Sequence, residues 1–220
     1  MNRRTALIGI SALALAAGGW SLTRTTTGGM PDLGVANAQS ADIDTSGIVE
    51  MVMGSEDAPI TLVAYASFTC PHCANFHNGP LKQLKADYVD TGKVRFIYRD
   101  VYFDRFGLWA AMVARCDATK FFGIADLLYE QQSDWIAGGG DPALIAENLR
   151  KIGRVAGLEN DQLEACLADN ANAQALVAWY QANAQADDVN STPTLIIDGE
   201  KHSNMAYADL KAILDEKLGE

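Results

Sequence analysis

The chain predicts an α/β fold with a helical insertion, on three observations. A short apolar, β-rich run, Thr61-Leu-Val-Ala-Tyr-Ala66, passes through a helical pattern into a second such run, Val94-Arg-Phe-Ile-Tyr-Arg-Asp-Val101. Helical character then fills about 106–187 without strand-like interruption. Strand character returns at Thr194-Leu-Ile-Ile197, ahead of Asp198-Gly199, a polar partner Glu200-Lys-His-Ser203 and a last amphipathic stretch, Tyr207 to Leu218. Short β-branched runs bounded by turn residues read as strands, and longer runs of 3.6 period read as helices. A strand–helix–strand order needs a crossover, which implies a parallel pair.

The leading residues read as targeting. Met1-Asn-Arg-Arg4 is a basic start and Ala6 to Ala17 an uncharged apolar run, followed by a small-x-small site at Ala36-Asn37-Ala38 that would leave Gln39 first. Residues 18–47, rich in Gly, Ser, Thr and Ala, read as a tether. Residues 1–38 are therefore expected to be a signal peptide or an N-terminal anchor with tether. The apolar run is short for a span of about 20 residues, and Arg3-Arg4 hints at twin-arginine export. Each version carries the body of the protein to a periplasm or other extracytoplasmic space. That body can bury a real core, since the 220-residue chain is 49% hydrophobic and 20% charged. The net charge of −11 for the whole chain disfavours nucleic acid and anionic lipid as partners and aids solubility.

Gly54-Ser-Glu-Asp-Ala-Pro59 makes a turn before the first core strand, which ends at Phe68-Thr69-Cys70-Pro71-His72-Cys73. Ala74 to Val89 is then helical, with Phe76, Leu81, Leu84 and Tyr88 facing a core and a kink at Gly79-Pro80. The two cysteines thus sit where a strand gives way to a helix start, where free N–H groups and the helix dipole favour a thiolate. His72, between them, adds positive charge or a hydrogen bond in the same direction. Cys70 and Cys73 are the candidate catalytic pair, a redox dithiol needing no separate cofactor. In an oxidising compartment the four cysteines permit two disulfides. With Cys70 and Cys73 paired for chemistry, Cys116 and Cys166 would staple two helices; two separate buried thiols are the alternative.

The inserted block divides into Gly107–Cys116, Lys120–Gln132, Pro142–Val155, Asn160–Ala168 and Ala173–Ala186. Asp141 is a natural N-cap with Pro142 at the first helical position, and Asn160 is expected to cap the next piece. Trp109, Trp135 and Trp179 read as core. Near the end, Ser191-Thr192-Pro193 starts an extended segment that a substrate peptide could pair with. The base rate for an X-Pro bond predicts trans at Thr192–Pro193.

The order strand–CPHC–helix, helical insertion, then Thr-Pro before a hairpin and final helix resembles the DsbA-like thiol:disulfide oxidoreductases of the thioredoxin superfamily. The resemblance covers about 47–220 and includes Phe68-Thr-Cys-Pro-His-Cys-Ala74, Leu127-Leu-Tyr-Glu-Gln-Gln132 and Val189-Asn-Ser-Thr-Pro-Thr194. It implies a thioredoxin-like domain from 47–105 and 188–220 and an inserted helical domain from 106–187. It also implies an exposed nucleophilic Cys70, a buried Cys73, and a cis Pro193 that faces the dithiol and, with Thr192, contacts substrate. The implied partners are reduced or unfolded secreted proteins and a membrane-bound reoxidising protein, the implied state a monomer. Members often carry a buried Glu six residues before the first cysteine, where this chain has Ala64; the departure puts the family's proton relay in question and leaves Glu50, Glu56 or water as candidate substitutes.

Two alternatives accompany the expected disulfide donation. Thr192 is shared with isomerase and reductase relatives, which favours those directions. Cys70, His72, Cys73 and His77 have the right ligand types for a structural zinc site, although no second CxxC exists and no metal is expected. His77 and His202 otherwise read as surface or packing residues.

Overall fold

The computed structural model describes residues 43–220. The expected signal segment 1–38 and most of the tether, with the candidate site at Ala36–Ala38, lie outside the described residues. A five-stranded sheet has the order β1-β3-β2-β4-β5, with β1 Met51–Met53, β2 Ile60–Ala66, β3 Val94–Asp100, β4 Thr194–Ile197 and β5 Glu200–Ser203. As the crossover requires, β2 and β3 are parallel, with Ala64 opposite Tyr98; the other pairs are antiparallel. Strand β1 was not legible in advance, because three residues are too few to show a period.

Side chains alternate across the sheet as strand geometry demands. Leu62, Ala64 and Ala66 of β2, Phe96 and Tyr98 of β3, and Leu195 and Ile197 of β4 join the main core, while Tyr65 and Ile196 enter a smaller cluster on the opposite face. The Asp198-Gly199 turn has positive φ at both residues, 48° and 85°, as a tight two-residue hairpin needs. The Asp198 carboxylate also accepts a hydrogen bond from the Thr61 N–H at 2.9 Å, which pins the hairpin to the start of β2.

After the dithiol come α1 (Pro71–Asn78), α2 (Pro80–Leu84) and a π-type turn, Lys85–Val89. Proline 80 lacks the N–H that would continue the ladder, so the helix breaks at Gly79 and Pro80 opens the next piece. The insertion contributes α3 (Arg105–Arg115), a 3₁₀ turn at Ala118–Lys120, α4 (Phe121–Glu130), α5 (Gln132–Ile136), α6 (Pro142–Val155), α7 (Asn160–Ala168) and α8 (Asn170–Ala186); α9 (Tyr207–Leu218) closes the chain. Asp141 caps α6 through the Ala143 N–H at 2.9 Å. Two expectations fail here. Residue 159, not Asn160, occupies the cap of α7, and its side chain makes no cap bond. The expected helix 120–132 is interrupted at Gln131, whose dihedrals leave the helical region, so that Gln132 starts α5 in a new direction. Trp109 and Trp135 are buried, whereas Trp179 is half-buried under the guanidinium groups of Arg99 and Arg115.

Two features tie the insertion down. Cys116 and Cys166 form a disulfide with Cα atoms 5.7 Å apart, joining the end of α3 to α7. Arg115, also at the end of α3, donates to the buried Asp100 of β3 at 2.6 Å and to the Val49 carbonyl at 2.8 Å. Closing a 50-residue loop by a disulfide stabilises by roughly 4 kcal/mol in the chain-entropy treatment. The double substitution Cys116→Ser, Cys166→Ser should lower the unfolding free energy by about 2–4 kcal/mol in urea titration, with Cys70 alkylated at its normal rate in the folded variant. An unchanged midpoint would show that the staple contributes nothing.

Candidate active site

Cys70 occupies the N-cap of α1 in the extended region (φ −87°, ψ 119°), and Pro71 supplies the first helical position, where its missing N–H costs nothing. An N-cap side chain faces the free N–H groups of the second and third helical residues. Here those are His72 and Cys73, and the group facing them is a sulfur. In the thiol form no cap bond is closed; the Cys70 S–H instead donates to the Thr192 carbonyl at 3.6 Å. Once ionised, the sulfur becomes an acceptor suited to the helix start. Partial burial pushes the Cys70 thiol up, but the Thr192 hydroxyl, the Cys73 N–H, the Cys73 thiol and the His72 N–H pull it down, and the net effect is a lowered pKa. The backbone N–H of His72 is among the groups that lower it, and the His72 ring is exposed.

Cys73, one turn along α1, is buried at 1% exposure. Burial pushes its thiol up to about 12, against the smaller opposing pull of the Ser67 N–H, which donates to the sulfur at 3.4 Å, and of the Thr192 hydroxyl. The two sulfurs of one motif are therefore driven in opposite directions by their surroundings. Both are free thiols in this structure.

The Thr192–Pro193 bond is cis, which overturns the base-rate expectation of trans and agrees with the resemblance. Proline 193 is buried at the head of β4, and Thr192 stands half-buried over the dithiol with no oxygen or nitrogen partner for its hydroxyl. Facing it, the loop before Cys70 is clamped from the insertion. Gln132 donates to the carbonyls of Phe68 at 2.8 Å and Cys70 at 3.0 Å. Thr69 donates to Asp104 at 2.8 Å, and the other oxygen of Asp104 caps α3 through the Gly107 N–H at 2.9 Å. Sequence reasoning gave no role to Gln132 or Asp104; the signals on offer were the Leu127–Gln132 stretch that carries the resemblance and the Asp-before-helix pattern at 104.

Of the two expected readings of His77, packing holds and surface does not. The residue is 4% exposed, its Nε2 lies 2.7 Å from Asp126 of α4, and its ring packs at a 31° tilt against Tyr129, centroids 4.5 Å apart. With His77 turned to Asp126, the four-residue zinc set is not assembled, and among the described residues no group of three or more His, Cys, Asp or Glu is arranged to hold a metal. His202 is half-buried in β5, opposite Leu195 of β4. Neither expected substitute for an acid at Ala64 reaches that residue: Glu50 pairs with Arg99 at 2.7 Å, and Glu56 is exposed in the turn before β2.

The comparisons with known proteins agree with this geometry. The family model described as Thioredoxin matches residues 46–216. The chain belongs to the thioredoxin family. A relative from Rickettsia bellii, carrying the provisional name protein-disulfide oxidoreductase, is 29% identical over 173 residues, covering 78% of this chain and 65% of its own. Disulfide bond formation protein D of Bacillus subtilis is 23% identical over 176 residues, covering 76% of each chain. The chain thus spans just under two thirds of the Rickettsia relative's length. Among solved structures, the fold matches Wolbachia pipientis alpha-DsbA1 with a TM-score of 0.71 at 24% identity, over 77% of this chain and 91% of that one. The architecture is a DsbA-type thioredoxin fold.

Two outcomes test the site. Thiolate absorbance of the reduced protein should show one step below the ordinary 9.0, absent in Cys70→Ser, with Cys73 titrating only near about 12. The depressed Cys70 stabilises the reduced form above its unfolded pKa and loses that contribution as pH falls through its folded pKa. The raised Cys73 has the opposite sign: its contribution is complete below the unfolded value and lost as pH climbs toward 12. Two coincident steps near 9.0 would contradict the asymmetry. Separately, Gln132→Ala takes from the Phe68 carbonyl the donor that Gln132 supplies, while the Cys70 carbonyl keeps the Cys73 and Ala74 N–H groups; the loss should cost about 1–3 kcal/mol in urea unfolding, and a neutral result would remove the clamp.

Proposed function

We propose that this protein is an exported thiol:disulfide oxidoreductase that donates the Cys70–Cys73 disulfide to reduced secreted proteins. The observation that carries the reading is the opposed environment of the two sulfurs. A substrate thiolate attacks Cys70, the reachable sulfur, forming a mixed disulfide and releasing Cys73. A second substrate thiol then displaces Cys70, which leaves readily because its thiolate is stabilised. Each pKa unit of thiolate stabilisation in the reduced form is worth about 1.4 kcal/mol, or roughly 30 mV toward oxidising power for a two-electron couple. The names of the relatives support thiol–disulfide exchange, and the basic and apolar leader supports export to an extracytoplasmic space.

Protein substrates fit the surroundings. Phe103, an exposed apolar side chain at 58%, directly precedes the Asp104 that holds the active-site loop. The Thr192 carbonyl opposite Cys70 and the Pro193 segment are the backbone an extended substrate would meet. Reoxidation falls to a membrane-bound partner, by likeness to the family; no helix among the described residues is long and apolar enough to cross a membrane.

A second direction has one observation in its favour. A solved structure described as a protein-disulfide isomerase from Novosphingobium aromaticivorans matches with a TM-score of 0.70 at 25% identity, over 78% of this chain and 98% of that one. A reduced-substrate assay beside a scrambled-substrate assay separates the two. We expect net oxidation of reduced substrate, its loss in Cys70→Ser, trapped mixed disulfides in Cys73→Ser, and a reduction potential well above those of cytosolic reductants. Rescue of scrambled substrate without net oxidation would assign the isomerase direction instead.

A further inference from the structure

Cys73 presents a chemical problem that the exchange sequence leaves open. When Cys70 holds a mixed disulfide, Cys73 resolves it only as a thiolate, yet its thiol is buried and its ionisation opposed. A proton must leave a sulfur that water does not reach. In the donating direction the same proton must arrive, because Cys73 is released as a thiolate.

Behind Cys73 lies a small cavity lined by Ala64, Cys73, Phe76, His77, Tyr98 and Tyr129 among others, with about 10 Å³ for the centre of a water molecule. That is about the least that holds one water. On its outer side His77 also lines a surface cleft of about 90 Å³ together with Lys82, Lys85 and Asp126. The imidazole therefore forms part of the wall between the space at the Cys73 sulfur and solvent. Its Nε2 is engaged by Asp126, a carboxylate 43% exposed that also accepts from Lys82 at 2.7 Å. A carboxylate acceptor fixes the ring proton on Nε2 and leaves Nδ1 with the lone pair. The remaining polar groups at the cavity are the hydroxyls of Tyr129 and Tyr98, 2.6 Å apart and paired with each other. Burial raises both phenols well above their usual range, so neither is a base near neutral pH.

We propose that His77, oriented by Asp126, is the residue through which the buried Cys73 thiol exchanges its proton with solvent. The Cys73 S–H bond breaks and an N–H bond forms on the imidazole, directly or through one water in the cavity. The Nε2 proton passes to Asp126 and on to bulk water. The Cys73 thiolate then attacks the Cys70 sulfur, forming the Cys70–Cys73 bond and expelling the partner as its thiolate. No oxidant beyond the bound mixed disulfide is needed, and the donating direction runs the same path in reverse. This rests on the thiol-exchange reading above, whichever net direction prevails.

The test mixes reduced protein with oxidised glutathione, quenches with acid and counts species by mass. It separates mixed-disulfide formation at Cys70 from release of the second glutathione by Cys73. In His77→Gln, formation and Cys70 alkylation should keep their wild-type rates, while release slows by roughly a hundredfold or more near neutral pH, the scale of a lost proton acceptor. Its release rate should climb in proportion to hydroxide up to pH 8, where the wild type follows a shallower profile. Asp126→Asn, altering a half-exposed side chain, should slow release in the same sense and guards against misfolding of the first variant. Superimposable release profiles in all three folded proteins would overturn the role of His77 while leaving exchange chemistry intact. Failure of the wild type to form any mixed disulfide would instead overturn the thiol-exchange reading.

Discussion

The structure depends on a sulfur standing in for an oxygen at a helix N-cap. Ser, Thr, Asp or Asn would accept the free N–H groups at the start of α1 and remain inert. Cys70 meets the same donors only when it is ionised, so the demand of a helix end becomes a bias toward the thiolate. Three residues later the helix turns Cys73 inward, where burial imposes the contrary bias. A CxxC spacing on a helix start is enough to set one sulfur at the rim and the other in the core. The sheet, the hairpin carrying Thr192, and Gln132 hold that start in register.

Charge is distributed with the same economy. Most ion pairs among the described residues are exposed and contribute little. Arg115 with Asp100 is different, at 5% and 1% side-chain exposure. Burial alone would disfavour the Arg115 guanidinium, but Asp100 and nearby tyrosines outweigh it and raise its pKa. Breaking such a pair strands the remaining charge, at a cost of about 3–5 kcal/mol. The pair therefore acts as a positional constraint, fixing the first helix of the insertion against the central parallel strands.

Much of the architecture was legible in the chain because its signals are local. Strand β4, its hairpin partner, α6, α7 and α9 follow directly from β-branched runs, Asp-Gly, Asp-Pro and apolar periodicity. The CPHC junction was legible for the same reason: the chemistry follows from where a strand stops and a helix begins. What escaped was non-local. Gln132 contacts Phe68 and Cys70 from more than 60 residues away, and its neighbour Gln131 breaks a helix that periodicity alone would continue. His77 looked like any helix-face histidine until Asp126 and Tyr129, some 50 residues on, were placed around it. The cis state of Thr192–Pro193 was available only through family likeness, since an isolated X-Pro bond favours trans.

The Gln132 clamp also bears on how freely this domain could be rebuilt. The inserted helices look like a module, with their own disulfide and much of their own core. Yet the dithiol loop borrows two of its hydrogen bonds from them. A version trimmed to the sheet and its flanking helices would take the Gln132 donor from the Phe68 carbonyl and leave the Cys70 carbonyl only the N–H groups of its own helix. Transplanting the insertion between relatives would succeed only where an amide donor arrives at the same point, so portability here is set by one side chain at the seam.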